Sequence, residues 1–153
     1  MKPAIYCLFN LLFMKIAIIN GPNLNLLGKR EPEIYGSEGF ESFFLQLQLK
    51  YPSIVFRYFQ SNVEGELINE LQETGFEYDG IIMNPGGYTH TSVAIGDAIA
   101  AIKSPVIEVH ISNVHAREDF RKISHVSAKS RGTICGLGLK GYELAVEYLQ
   151  SMQ

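Results

Sequence analysis

From residue 15 onward, short apolar runs alternate with longer stretches whose apolar side chains return every three or four positions. The runs predict five strands, over residues 15–19, 54–59, 80–83, 106–109 and 133–135 with its flanks. Between them, Phe40, Phe43, Phe44 and Leu47 fall on one face of a helix, and Val63, Leu67, Ile68 and Leu71 on one face of another. The second helix opens on Ser61-Asn62-Val63-Glu64, the pattern of a capping box, in which side chains satisfy the free amides of a first turn. Thr91 or Ser92 can cap a third helix running to Ile102. A fourth is predicted over residues 142–152, with Leu144, Ala145, Tyr148 and Leu149 on its apolar face.

Strands alternating with helices make βαβ units, because parallel strands need a crossover between them. Helices on both faces of a short sheet then give an α/β fold of the doubly wound kind, a flavodoxin-like three-layer sandwich around a five-stranded parallel sheet with right-handed crossovers. At 153 residues there is room for one substantial core. The expected organisation is a single α/β catalytic domain over residues 15–153 behind an N-terminal extension, residues 1–14. That extension is mostly apolar after Lys2 and superficially like a signal peptide. It has no small-residue cleavage site before Lys15 and is too short for a bilayer-spanning helix, so Met14 is expected to be the natural start.

Composition narrows the partners. Apolar residues make up 46% of the chain and charged residues 19%, ordinary proportions for a globular protein. The net charge is -3, with 13 Lys and Arg scattered among 16 acids, which argues against a nucleic-acid partner and leaves room for a local anion pocket. No membrane partner is expected. Cys7 and Cys135 lie far apart with no CxxC pair, so a reducing cytoplasm fits, and Cys135, in an apolar run, is expected to be a buried, inert thiol.

In doubly wound sheets, ligands bind beyond the carboxyl ends of the strands, near the point where strand order reverses. The residues following each strand there are Asn20-Gly21-Pro22-Asn23, Gln60-Ser61, Asn84-Pro85-Gly86-Gly87 and His110-Ile111-Ser112-Asn113. Any one of these alone reads as a tight turn; several polar segments on one sheet edge make a candidate site. Glu108 and His110 flank Val109, so on a strand their side chains share a face. A carboxylate beside an imidazole fixes its tautomer and favours its charged form, which suits a general acid. His90 lies in Gly87-Tyr88-Thr89-His90-Thr91-Ser92, ahead of a helix start where free amides favour anions. That segment is either a turn that binds substrate oxygens or a helix entry with no ligand. His115 and His125 read as surface or packing residues. Residues 27–36 are polar, carry Gly28, Pro32 and Gly36, and read as a mobile lid. Within it, a guanidinium at Arg30 held near the Tyr35 phenol would favour the phenolate and make a base; the same two residues also read as an exposed loop arginine and a packing tyrosine.

Other patterns mislead. Gly136-Leu137-Gly138-Leu139-Lys140-Gly141 matches GxGxxG, but no acidic residue follows about twenty positions on, so the glycines are expected to permit close backbone packing. The histidines match no common zinc spacing and neither cysteine supplies a nearby ligand, so no metal is expected. GxSxG and Walker A sequences do not occur. A rival reading, a flavodoxin-like nucleotide- or flavin-binding module with Tyr35 stacked on the ligand, predicts cofactor absorbance but lacks a phosphate loop.

Taken together, Asn20-Gly21-Pro22-Asn23-Leu24-Asn25-Leu26-Leu27-Gly28, Arg30-Glu31-Pro32-Glu33-Ile34-Tyr35-Gly36, Gly87-Tyr88-Thr89-His90-Thr91-Ser92 and Glu108-Val109-His110-Ile111-Ser112-Asn113-Val114-His115-Ala116-Arg117 resemble type II 3-dehydroquinate dehydratase. The motifs are in order and the resemblance spans residues 15–149. It implies a lyase that dehydrates 3-dehydroquinate to 3-dehydroshikimate, in the shikimate pathway of aromatic amino acid biosynthesis or in quinate catabolism, without metal or organic cofactor. It also implies the route: proton removal beside the ketone, an enolate, and anti elimination of the hydroxyl. By resemblance, Tyr35 is the base, Arg30 stabilises its phenolate and the transition state, and His110 protonates the departing hydroxyl. Glu108 orients His110, and Asn23 helps hold a water or hydrogen-bond network at the developing enolate. Substrate binding falls to Asn84, His90, Ile111 through its backbone amide, Ser112, and Arg121, whose guanidinium suits a carboxylate. Asp97 matches a residue that reaches a neighbouring subunit's site in the family's dodecamer, a tetramer of trimers. Lys29 and residues 124–131 fall among positions expected to vary.

Overall fold

Each apolar run forms a strand, and all five lie parallel in one sheet: β1 Met14–Asn20, β2 Ile54–Gln60, β3 Gly80–Asn84, β4 Val106–His110 and β5 Gly132–Cys135, in the order β2-β1-β3-β4-β5. The computed structural model describes residues 13–29 and 39–153. Arg30, Tyr35, most of the lid segment and most of the N-terminal extension lie outside the described residues. Strand order reverses between β1 and β3, which makes their carboxyl ends the topological switch point.

The first four strands run on through the polar residue assigned by sequence to the following loop, ending at Asn20, Gln60, Asn84 and His110. Ladder hydrogen bonds come from the backbone and are indifferent to side-chain polarity. Asn20 accordingly stays in register with Gln60 on one side and Asn84 on the other.

Side chains alternate across the sheet and divide the core in two. Ile16 and Ile18 of β1 join Ile82, Ile107 and Val109 beneath helices α1 (Phe40–Lys50) and, at the chain's end, α4 (Lys140–Gln150). Ala17 and Ile19 join Ile81, Met83 and Val106 beneath α2 (Glu64–Thr74) and α3 (Val93–Ala101). A parallel sheet buried on both faces is the expected three-layer α/β sandwich. Among the described residues, no helix is long and apolar enough to cross a membrane.

Helix ends depart from expectation in informative ways. Ser92 caps α3, its hydroxyl accepting from the Ile95 amide at 2.9 Å, and the helix stops one residue before Ile102. At α2 the capping box does not form as read. The Ser61 hydroxyl accepts from the Val63 amide at 2.9 Å and donates to Glu66, because the helix begins only at Glu64 and turns Glu66 back toward Ser61. Helix α4 begins at Lys140, two residues earlier than expected, where Gly141 lets it sit close to the sheet: a Cβ there would meet Val109 at 3.2 Å. Cys135 is half-buried, not buried as expected, because β5 is an edge strand with one flank open.

Tyr142 ties α4 to the switch point. It is fully buried, donates to Asn20 Oδ1 at 2.8 Å and accepts from Asn84 Nδ2 at 3.0 Å. Burial pushes the phenol above its ordinary range, so it stays a neutral donor. Tyr142→Phe strands two buried amide groups and is expected to cost about 1–3 kcal/mol of stability in urea unfolding. An unchanged midpoint would mean that the two asparagines find other partners.

Candidate active site

Three loops at the switch point enclose one pocket. After β1, the chain turns at once: the Gly21 amide donates to Asn84 O at 2.7 Å, and a Cβ on Gly21 would lie 2.5 Å from the Pro85 carbonyl oxygen. Only glycine permits that approach. Asn23 follows with φ 68, a left-handed conformation that asparagine tolerates better than most side chains. Its amide donates to Asn62 Oδ1 at 3.0 Å, which holds the loop against α2. Pro22, Asn23, Leu24, Leu26 and Leu27 form this wall of the pocket. The segment is therefore a tight turn and a pocket wall at once.

The second wall, Asn84, Gly86, Gly87 and His90, follows β3. Asn84 uses Oδ1 to accept from the Gly86 amide at 3.1 Å and one Nδ2 hydrogen to reach Tyr142. One amide hydrogen and one lone pair remain. The His90 segment is a helix entry that also lines the pocket. The ring Nδ1 donates to the Ile123 carbonyl at 2.7 Å, so the lone pair sits on Nε2. Burial chiefly, with the charges of His110 and Arg121, holds its pKa below the usual imidazole value. His90 is thus a neutral acceptor, its ring 6.4 Å from that of His110 and edge-on to Phe120 at 6.1 Å.

The third wall comes from β4 and the loop beyond it: His110, Ile111, Ser112, Val114, Arg117 and Arg121. As the period of two requires, Glu108 and His110 share a face, with His110 Nε2 donating to Glu108 Oε1 at 2.8 Å. Nδ1 is left as the ring nitrogen for a ligand. Glu108 is fully buried beneath His110 and accepts from Thr89 at 2.7 Å, from Ser124 and Thr133 at 3.2 Å each, and from Ser127. Burial pushes its pKa up, but the hydrogen bonds from His110 and Ser127, the His110 charge and the Thr89 hydroxyl together outweigh that and hold it down to about 2.

Arg121 donates through Nε to Glu118 at 2.8 Å and lies with its guanidinium carbon 5.0 Å from the Phe120 ring. Arg117 approaches the same Glu118 oxygen at 3.7 Å, which puts two guanidinium groups on one pocket wall. Together the structure gathers Asn23, Asn84, His90, His110, Ile111, Ser112 and Arg121, with Glu108 directly behind. Asp97 stands apart, exposed on α3 and outside the lining. Arg30 and Tyr35 fall outside the described residues.

Sequence reasoning missed five contributors. Arg117 lies four residues before Arg121, a spacing that could have marked a pair. Ser124 and Ser127, in a segment expected merely to vary, hold the Glu108 carboxylate. Thr89, in the turn after β3, and Thr133, on β5, do the same and carried no signal. The GxGxxG run is engaged elsewhere: Gly136 and Gly138 adopt positive φ, and their amides donate to the His110 and Ile111 carbonyls at 3.1 and 3.0 Å. Those amides are taken, so they offer no phosphate cradle. Among the described residues, no three His, Cys, Asp or Glu side chains gather around a possible metal position.

Comparison with known proteins bears on the family and the fold. The family described as dehydroquinase class II matches residues 14–150. A protein of Fusobacterium nucleatum named 3-dehydroquinate dehydratase is 55% identical over 141 residues, covering 89% of this chain and 96% of that one. The crystal structure of a type II dehydroquinase from Butyrivibrio crossotus has a TM-score of 0.87 at 48% identity, covering 90% of this chain and 98% of that one. A second, from Propionibacterium acnes, has a TM-score of 0.86 at 39% identity, covering 91% and 99%. The chain belongs to the class II dehydroquinase family.

Proposed function

We propose that this chain dehydrates 3-dehydroquinate to 3-dehydroshikimate by anti elimination through an enolate. The observation that carries the reading is a histidine held by a buried carboxylate, Glu108, inside a pocket that also presents guanidinium groups at Arg117 and Arg121. That combination suits a small, hydroxylated carboxylate.

In this reading Tyr35, as phenolate favoured by Arg30, removes the proton beside the ketone, and the electron pair moves onto the carbonyl oxygen as an enolate. Asn23, in its left-handed turn at the pocket edge, holds a water or hydrogen-bond network at that oxygen. The enolate collapses, the carbon–oxygen bond breaks on the opposite face, and His110, as the imidazolium, delivers its Nδ1 proton while keeping the one on Nε2, so that the hydroxyl leaves as water. A proton passing from Tyr35 back to His110 through solvent closes the cycle. These side chains supply every step, so the reading calls for neither metal nor organic cofactor.

Arg121 takes the substrate carboxylate, His90 Nε2 accepts from a ring hydroxyl, and Asn84, Ser112 and the Ile111 amide complete the polar contacts. Losing the charged pair at Arg121 removes about 1.5–3 kcal/mol of binding. Arg121→Ala is therefore expected to raise KM roughly 10- to 100-fold in steady-state assays, with a smaller change in kcat. A kcat loss at constant KM would place Arg121 in the chemistry instead.

The reading extends to a cytoplasmic enzyme of the shikimate pathway or of quinate catabolism, its catalytic domain spanning residues 15–153. The assembly is a dodecamer, a tetramer of trimers, in which Asp97 reaches from the α3 surface toward a neighbouring subunit's pocket. Light scattering tests that assembly. The activity itself is tested by mixing purified protein with 3-dehydroquinate and following absorbance of the conjugated product. Turnover that resists chelator and borohydride is expected. Absence of turnover would refute the reading, loss with chelator would demand a metal, and inactivation by borohydride with substrate present would point to a Schiff base.

A further inference from the structure

Glu108 is surrounded by donors on both oxygens. Oε1 accepts from His110 Nε2 at 2.8 Å and Thr89 Oγ1 at 2.7 Å; Oε2 accepts from Ser127 Oγ and, at 3.2 Å, from Thr133 Oγ1. Ser124 Oγ lies between, 3.2 and 3.5 Å from the two oxygens. A carboxylate accepts along about four lone-pair directions, so this one is saturated, and its plane is fixed at both ends.

The competing arrangement is visible in the same geometry. Thr89 Oγ1 is also 3.4 Å from His110 Nε2, close enough that its hydroxyl could turn from Glu108 and donate to that nitrogen. In that state the proton of a neutral His110 moves to Nδ1, and the nitrogen left for a ligand changes character. What opposes it is the placement of Glu108 Oε1 directly on Nε2. That placement depends on Oε2 being anchored, and the anchor in closest contact is Ser127, itself backed by Thr133 Oγ1 at 3.3 Å.

We propose that Ser127 is a positioning residue for the elimination, acting through Glu108 to hold His110 with one proton kept on Nε2, so that Nδ1, toward the pocket, is the nitrogen that takes up and delivers the other. The inference rests on the function proposed above for His110, but its decisive readout needs no substrate. Ser124 is the weaker candidate for this role, because its hydroxyl also accepts from the Val126 and Ser127 amides at 3.2 and 2.9 Å and so shapes the turn itself.

The test combines kinetics with solid-state 15N spectroscopy of histidine-labelled protein, recorded on the neutral imidazole and with His110 assigned by comparison with His110→Asn. The full-length protein is expected to show His110 as one tautomer, protonated at Nε2. Ser127→Ala is expected to give two tautomer populations, a kcat lowered about tenfold and a KM within about twofold. Ser127→Thr, which restores a hydroxyl, is expected to recover the single tautomer and most of the rate. An unchanged His110 spectrum in Ser127→Ala overturns the proposal whatever happens to kcat, since a turn residue can lose rate without moving the proton. If Ser127→Ala does not fold, Thr133→Val on the exposed edge strand takes its place and is expected to mix the tautomers to a smaller extent; a single tautomer there overturns the proposal. Should the unaltered protein fail to turn over 3-dehydroquinate, the function falls while the tautomer result still decides the role of Ser127.

Discussion

His110→Ala is expected to lower kcat by about 10²–10⁴-fold, the range spanned by general acid catalysis, while leaving assembly and fold in place. The imidazole contributes little to the hydrophobic core: it sits at the end of β4, 7% exposed, against polar groups and the pocket. Its removal still leaves Glu108 four hydroxyl donors, from Thr89, Ser124, Ser127 and Thr133, so the buried carboxylate is not orphaned. KM should change little, because Arg121, the proposed partner of the substrate carboxylate, stands on a different part of the wall. The deeper prediction concerns where the reaction stalls. If His110 only protonates the departing hydroxyl, His110→Ala should still exchange the proton beside the ketone with solvent deuterium. Tyr35→Phe should abolish that exchange along with turnover. Full activity in His110→Ala would overturn its role, and loss of exchange as well as turnover would make His110 part of the first step.

How much of this was legible in the sequence depends on the range over which each feature is encoded. Strands and helix faces are local. Apolar runs such as residues 80–83 and the spacing of Leu67 and Leu71 declare themselves within one window, and these elements appear where expected. Boundaries are less local. Asn20, Asn84 and His110 end strands because neighbouring backbones extend far enough to pair with them, which no single segment records. The Ser61 cap chose Glu66 over Glu64 because the helix starts later than the spacing suggested.

The site divides in the same way. Glu108 and His110 could be paired from a period of two, and the polar strand ends could be referred to one edge once the parallel sheet was inferred. The cradle around Glu108 could not. Thr89, Ser124, Ser127 and Thr133 lie 16 to 25 residues from Glu108, on three separate segments, and a serine or threonine carries no mark of what it will face. Arg30 and Tyr35 stood out within the lid, but their residue types alone fitted a plain surface loop better, and the resemblance gave them their roles.

Glu108→Gln should separate the charge of this residue from its shape. The amide fits the same space, and with its oxygen toward His110 it still accepts from Nε2, while its NH₂ group faces hydroxyls that can rotate to accept. What disappears is the negative charge that, in the proposed mechanism, stabilises an imidazolium at His110 before it is discharged onto the leaving hydroxyl. A loss of about 10²-fold or more in kcat is expected, larger than the effect of Ser127→Ala, with the fold retained. Stability gives an independent measure. The Glu108 carboxyl is held down to about 2 from an ordinary value of 4.5, so its contribution is fully present above about pH 4.5, declines as pH falls through that interval, and is gone below about 2. At 1.36 kcal/mol per pH unit, the contribution amounts to about 3 kcal/mol. Urea unfolding between pH 4.5 and 2 should therefore show a shallower acid decline in Glu108→Gln than in the unaltered protein, because the amide takes up no proton on unfolding. Parallel declines would mean that Glu108 is not the ionised, hydrogen-bonded carboxylate on which the proposed acid depends, and an unaltered kcat would show that His110 works without it.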